Sequence, residues 1–330
     1  MEIEYKALHS ASCCYYDGDL YVAFYAGERE CVKQRVFIYR KKKGKNMSFF
    51  KALPMGSGNP VLMSVGKELY CCYSRFTRPM TNNVFELWRT CYTSVEQISG
   101  ETNKQYVLST YCCPRCNPYT MDNGVVLLPC YDEEIAKGMI FSIGENILLN
   151  RYFLANHDSR VIQPSLFKYD NAFMIFYRNF TRRLSNSPEK AYAFYSKGWY
   201  SQAQGTLVFS SPQLTNIPNN NESIVGINDK DGNALTVFNN KPGRQELTLG
   251  LIRPSSKGIP ESDNLLILND SEKASYPNCA FNGKNQLVIC FTSYEKSINS
   301  LSSICIATVS TNYKKVLSRI YITADDVNSV

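Results

Sequence analysis

The stretch Ser275 to Tyr294, SYPNCAFNGKNQLVICFTSY, reads as two short strands around an Asn-Gly turn. Both turn residues tolerate the positive φ that tight hairpins require. Five other stretches follow the same plan. His9 to Arg29 turns at Asp17-Gly18, Asn59 to Arg75 at Val65-Gly66, and Asn117 to Asp132 at Asn123-Gly124. Gln163 to Arg178 turns at Asp170-Asn171, and Asn221 to Asn240 at Asp231-Gly232. The turns recur at intervals of roughly 45 to 60 residues, a period that marks a propeller or another repeat array.

Each unit carries about four strand-like runs, and convincing long amphipathic helices are absent. The units run over about 6–52, 53–110, 111–155, 156–210, 211–268 and 269–322. A unit of this kind has an apolar face it cannot bury alone, so neighbours must stack. The pattern predicts a single all-β domain over 1–330, a six-bladed β-propeller with about four antiparallel strands per blade.

The formal net charge of +7 is mild, and the run Arg40 to Lys45 sits between apolar strands as a solvated loop. With no basic amphipathic helix and no zinc-finger spacing, nucleic acid is not an expected partner. No apolar run reaches the 18 or so residues of a membrane span, so no membrane is expected either. MEIEYKALHSAS lacks a basic-then-apolar signal, and thirteen cysteines suit a reducing compartment. A cytoplasmic protein with free thiols is the expectation. Cys113-Pro114-Arg115-Cys116 is a lone C-x-x-C, which without a second pair reads as a thiol-lined loop and not a metal site. No phosphate, dinucleotide or metalloprotease motif is present, and no cofactor is expected.

Hairpin geometry locates a site. The start of the first arm and the end of the second lie at one end, the turn at the other. The flanks should therefore line one face of the propeller. They are His9, Arg29 and Glu30, then Asn59 and Arg75, Asn117 and Asp132, Gln163 and Arg178, Asn221 and Asn239, Tyr276 and Tyr294.

These residues bear a family likeness. HSASCCYYDGDLYVAFYAGERE, NPVL, IQPSLFKYDNAFMIFYR, IPNNNESIVGINDKDGNALTVFN with GRQELTLGL, and SYPNCAF appear in order at propeller spacing. The chain resembles the sialidase superfamily, closest to its sialidase-like branch with BNR/Asp-box repeats, from His9 to about Tyr294. The resemblance implies retaining hydrolysis of sialosides: three arginines grip the sugar carboxylate, a tyrosine paired with a glutamate is the nucleophile, and an acidic residue from the first blade is the acid/base. A guanidinium fork fits a carboxylate, and sialidases depart from the usual two-carboxylate scheme by using tyrosine.

By this resemblance Arg178 and Arg244 match the second and third arginines, Tyr276 the nucleophile, and Arg29 with Glu30 an Arg/acid patch that supplies the acid/base. His9 falls where the first arginine belongs. The activating glutamate aligns near Gln163, while Glu222 has a similar local look in the wrong unit. Asn59, Arg75, Gln163, Asn221 and Glu222 complete the expected binding face. A phenol ionises near pH 10, so a nucleophilic tyrosine needs a base. The Asp boxes are eroded: KKKGKNMS and LIRPSSKGIP keep little beyond the glycine. The resemblance implies a sialidase-like hydrolase for a sialoside or related acidic sugar. The alternative is a catalytically silent propeller that binds a glycan, an acidic small molecule or a protein partner, within a larger assembly in one version. A carboxylate in reach of the Tyr276 hydroxyl discriminates the two.

Overall fold

The computed structural model describes residues 3–30, 32–77, 88, 90–100, 104–145, 147–154, 161–180, 191–203, 206–269, 273–294 and 301–330. Six antiparallel sheets follow one another in chain order around a ring, a six-bladed β-propeller as the repeat predicts. The first blade is β1 (Ala7–Tyr16), β2 (Asp19–Gly27), β3 (Arg35–Lys41) and β4 (Met47–Ala52). The second is β5 (Ser57–Val65), β6 (Glu68–Arg75), β7 (Tyr92–Gln97) and β8 (Gln105–Thr110). The third holds β9 (Cys113–Pro114), β10 (Tyr119–Thr120), β11 (Val126–Asp132), β12 (Lys137–Gly144) and β13 (Ile147–Phe153). The fourth holds β14 (Val161–Tyr169), β15 (Ala172–Asn179), β16 (Tyr192–Ser201), β17 (Thr206–Phe209) and β18 (Gln213–Pro218). The fifth is β19 (Val225–Asn228), β20 (Ala234–Lys241), β21 (Gln245–Pro254) and β22 (Pro260–Asn269). The sixth is β23 (Lys273–Phe281), β24 (Leu287–Tyr294), β25 (Ser303–Val309) and β26 (Val316–Ile322).

The inner strands read as continuous apolar runs because blades cover both of their faces. All nine residues of β2 are buried, whereas β26 exposes most of its length. The core is divided into six apolar clusters set between neighbouring blades. One of them closes the ring, packing Leu8, Val22 and Phe24 of the first blade on Val288, Cys290, Ile304 and Ile306 of the sixth. Ser302 tightens this seam: its Oγ accepts from the Leu8 amide at 3.0 Å and donates to the Leu8 carbonyl at 2.8 Å. A short terminal helix, α1 (Ala324–Asn328), is capped by Thr323 and buries Ala324 and Val327 against the first blade.

Five of the six predicted turns form with the expected backbone, while at Asn282-Gly283 neither residue takes positive φ and the left-handed position falls to Asn285, at φ 56°. Asp17 and Gly18 take φ of 50° and 76°, Asp170 and Asn171 take 49° and 60°, and Gly66, Gly124 and Gly232 are also positive. The two eroded Asp boxes still make turns, with Gly44 and Gly258 both at φ 72°.

Sequence periodicity did not show a second device. Ser10, Asn59, Gln163, Asn221 and Tyr276 adopt φ between 44° and 67°. Four of them sit where the register of the inner hairpin shifts, at bulges in β1, β5, β14 and β23. A bulge bends a strand and re-aims its side chain. A non-glycine residue in this region costs about 1–2 kcal/mol, a strain typical of functional sites.

Gly27, at the end of β2, sets the adjoining turn. A Cβ there would stand 2.5 Å from the Val32 carbonyl oxygen and 2.8 Å from that of Arg29. Neither backbone atom can swing aside as a side-chain tip does. Gly27→Ala is expected to cost about 1–3 kcal/mol and to displace the turn that carries Glu30, as urea denaturation and pocket binding would report.

Candidate active site

A cavity of about 320 Å³ opens at the non-turn end of the hairpins. It gathers Glu30, Asn59, Gln163, Arg178, Asn221, Arg244 and Tyr276 from five blades, together with Tyr25, Trp88, Tyr131, Glu133 and Phe180. The strained positions are over-represented here: Asn59, Gln163, Asn221, Tyr276 and Arg244 all have positive φ.

Arg178, at the end of β15, is 8% exposed. Its Nε donates to Asn221 Oδ1 at 2.9 Å, and its Nη1 reaches Gln163 Oε1 at 3.4 Å. Gln163 in turn donates from Nε2 to the Tyr131 hydroxyl at 3.4 Å. Two amide acceptors hold the guanidinium, and no carboxylate quenches its charge within the described residues' ion pairs.

Arg244 comes from the turn between β20 and β21. Its Nη1 donates to the Tyr294 hydroxyl, and its Nη2 points at the Tyr276 hydroxyl at 3.4 Å. Its Cζ stands 5.2 Å over the Tyr276 ring and 5.4 Å over that of Tyr294. Burial opposes its charge, but Tyr276, Tyr294, Glu30 and Glu222 outweigh that and hold its pKa above the usual guanidinium value. The Tyr294 hydroxyl also shares a hydrogen bond with Ser275 Oγ at 2.9 Å, and burial raises its pKa.

Glu222 is buried behind this pair, 5% exposed, with Oε2 lacking a protein partner. Burial pushes its pKa up to about 7, against the pull of Arg178 and Arg244. His9 does not line the cavity. It is buried between the rings of Tyr25 and Tyr294, at 5.7 and 5.6 Å. Burial pushes its pKa down to about 4, with Glu30 opposing and Arg244 adding to the shift. At neutral pH it is an uncharged ring.

Arg29 and Arg75 lie outside the cavity lining. Arg29 is exposed on the turn after β2, where its backbone bridges to Val32. Arg75 ends β6, paired with Ser57 and Tyr92. Arg29 and Glu30 both lie in the turn past the end of β2, and there Glu30 lines the cavity while Arg29 does not. The same offset applies in the third blade. Asp132 caps a turn, its Oδ1 accepting from the amides of Glu134 and Ile135 at 2.8 and 3.2 Å, and Glu133 lines the cavity. Glu133, just past β11, was missed by one residue because hairpin flanks locate the end of a strand and not which residue of the following turn reaches inward. Phe180 follows directly on β15 and Trp88 precedes β7, and no short motif marks either. The cysteines of the C-x-x-C diverge: Cys113 Sγ lies 3.2 Å from Cys91 Sγ, while Cys116 Sγ donates to the Gln163 carbonyl at 3.5 Å.

Fold and pocket together define a six-bladed β-propeller with an arginine-bearing cavity at its hairpin flanks. The chain belongs to the BNR repeat-like domain family, whose model matches residues 18–289. No curated protein matches its sequence. Among solved structures it is similar to a protein of unknown function from Dyadobacter fermentans, at 12% identity and TM-score 0.66, covering 92% of this chain and 95% of that one. It is also similar to a Trypanosoma rangeli sialidase mutant displaying trans-sialidase activity, at 10% identity and TM-score 0.66, covering 93% of this chain. The match spans 55% of that sialidase's length. The NanB sialidase from Streptococcus pneumoniae matches at 10% identity and TM-score 0.63, over 98% of this chain and 70% of that one. At such identities the likeness establishes the fold.

Proposed function

We propose that this propeller binds an acidic sugar, sialic acid or a close relative, and does not cleave it by a tyrosine nucleophile. One observation carries the second half. Among the described residues no carboxylate hydrogen-bonds the Tyr276 hydroxyl, whose partner is the Arg244 guanidinium. The amide of Gln163 stands where the resemblance expects the activating glutamate, and it is engaged by Arg178 and Tyr131. A phenol without a base is a poor nucleophile at neutral pH.

The first half rests on charge and shape. Arg178 and Arg244 present two guanidiniums to a cavity of sugar size, and each fork suits a carboxylate. Asn59 and Asn221 offer amides for hydroxyl groups, and Trp88, Phe180 and Tyr25 offer apolar faces. Sialic acid occupies a T. rangeli sialidase of the same fold. Glu222 tunes the grip. When it ionises near pH 7 it repels the ligand's carboxylate by about 1–2 kcal/mol at an effective dielectric near 20. Affinity is expected to fall roughly tenfold as pH rises from 6 to 8, with proton uptake on binding near pH 7. Titration calorimetry in buffers of different ionisation enthalpy measures both, and Glu222→Gln is expected to flatten the profile.

One observation favours hydrolysis instead. The guanidiniums of Arg115 and Arg244 stand 5.1 and 5.2 Å over the Tyr276 ring. In that reading the two cations do the work of the missing glutamate. Turnover of a sialoside that requires the Tyr276 hydroxyl would establish this reading.

A further inference from the structure

Among the described residues Arg115 is the largest fully buried side chain, 1% exposed. A guanidinium stays charged at any physiological pH. Its Nη2 donates to the Pro277 carbonyl at 3.3 Å, and its Cζ lies 5.1 Å over the Tyr276 ring. Nε and Nη1 meet no protein acceptor, and among the described residues no carboxylate pairs with it. Asn278, next to the carbonyl that Arg115 holds, is wholly buried and has an unpartnered Nδ2.

The neighbouring thiols do not supply the missing charge. Burial pushes Cys116 up to about 11 and Cys279 well above the ordinary thiol range, despite the pull of Arg115 on both. Both are neutral at physiological pH. Buried charges are paired or strongly penalised, and a buried donor without a partner calls for a water or an ion. A water would satisfy a donor but leave the charge. The sugar site does not reach here either: Tyr276 lines the cavity and Arg115 does not.

We propose that a monovalent inorganic anion of halide size binds inside the propeller, against Nε and Nη1 of Arg115, behind the Tyr276 ring. It is a structural site, separate from the acidic-sugar pocket. Its ligand neutralises a cation that the fold cannot pair.

Bromide is the probe. A wild-type crystal soaked in bromide is expected to show an anomalous peak within about 3.5 Å of the Arg115 guanidinium nitrogens. In solution, at ionic strength held constant with methanesulfonate, Tm is expected to rise by several degrees between about 1 and 100 mM bromide. Arg115→Met is expected to lose that dependence. A non-anomalous water at the guanidinium, with a bromide-independent Tm, would overturn the proposal. Should Arg115→Met fail to fold, the wild-type anomalous map decides alone. Arg244→Ala, which disturbs the sugar pocket, is expected to keep the bromide response, so the two sites fail separately.

Discussion

Arg244→Ala is expected to weaken binding of a sialoside by roughly a hundredfold or more. The guanidinium is half-buried, oriented by the Tyr294 and Tyr276 hydroxyls, and within the field of Glu30 and Glu222. Removing one partner of a desolvated, hydrogen-bonded charge pair costs about 2–5 kcal/mol, and each 1.4 kcal/mol is tenfold. Arg244→Lys separates charge from geometry. It keeps the cation but loses the planar fork, so an intermediate loss is expected. Arg178→Ala should match Arg244→Ala, because Asn221 and Gln163 hold that guanidinium through Nε and Nη1. Equilibrium titration of each variant, with Tm as a check on folding, measures these losses. Affinity unchanged in both alanine variants would remove the arginine grip.

The second large effect is a hidden pH dependence of stability. The unfolded chain takes up the His9 proton near pH 6.5, whereas the folded protein resists until about 4. Between those values the unfolded state binds more protons, so stability rises with pH, by about 3 kcal/mol over the window. Glu222 does the opposite. Its folded pKa of about 7 exceeds the ordinary 4.5, so the folded state holds the extra proton. Its stability contribution is complete below pH 4.5 and is lost as pH rises through 7, again by about 3 kcal/mol. The two windows nearly coincide with opposite sign. The wild-type profile from pH 4 to 7 is therefore expected to be shallow. His9→Gln should leave a stability that falls with pH, and Glu222→Gln one that rises. Urea denaturation of the three proteins across this range reads the slopes. Parallel profiles for all three would contradict the burial account of both groups.

The architecture was legible because its signals are local. Asp17-Gly18, Asn123-Gly124 and Asp231-Gly232 fix hairpin turns through backbone freedom alone, and their spacing counts the blades. The end of the propeller that carries the cavity also followed, since a hairpin's flanks lie opposite its turn. What sequence reasoning blurred was which flanking side chain points inward. That depends on the turns past the strands and on bulges, whose positive-φ residues, Ser10, Asn59, Gln163 and Tyr276, carry no residue-type signature such as glycine. Glu133 lines the cavity and Asp132 does not, and Glu30 lines it and Arg29 does not; Glu30 and Glu133 sit on turns past their strands, where no strand alternation tells which side chain points inward. Arg115 was legible only as part of a C-x-x-C. Its burial arises from contacts with residues more than a hundred positions away, such as Pro277.

The claim that this propeller holds an acidic sugar without cleaving it is tested most directly by proton NMR of an α-methyl sialoside with the wild-type protein. Saturation transfer reports binding, and the glycoside resonances report cleavage in the same sample. We predict transfer to the sugar protons, lost in Arg244→Ala, with the glycoside signals unchanged over days. Growth of free-sugar resonances that stops in Tyr276→Phe would contradict the account and establish a tyrosine-dependent hydrolase.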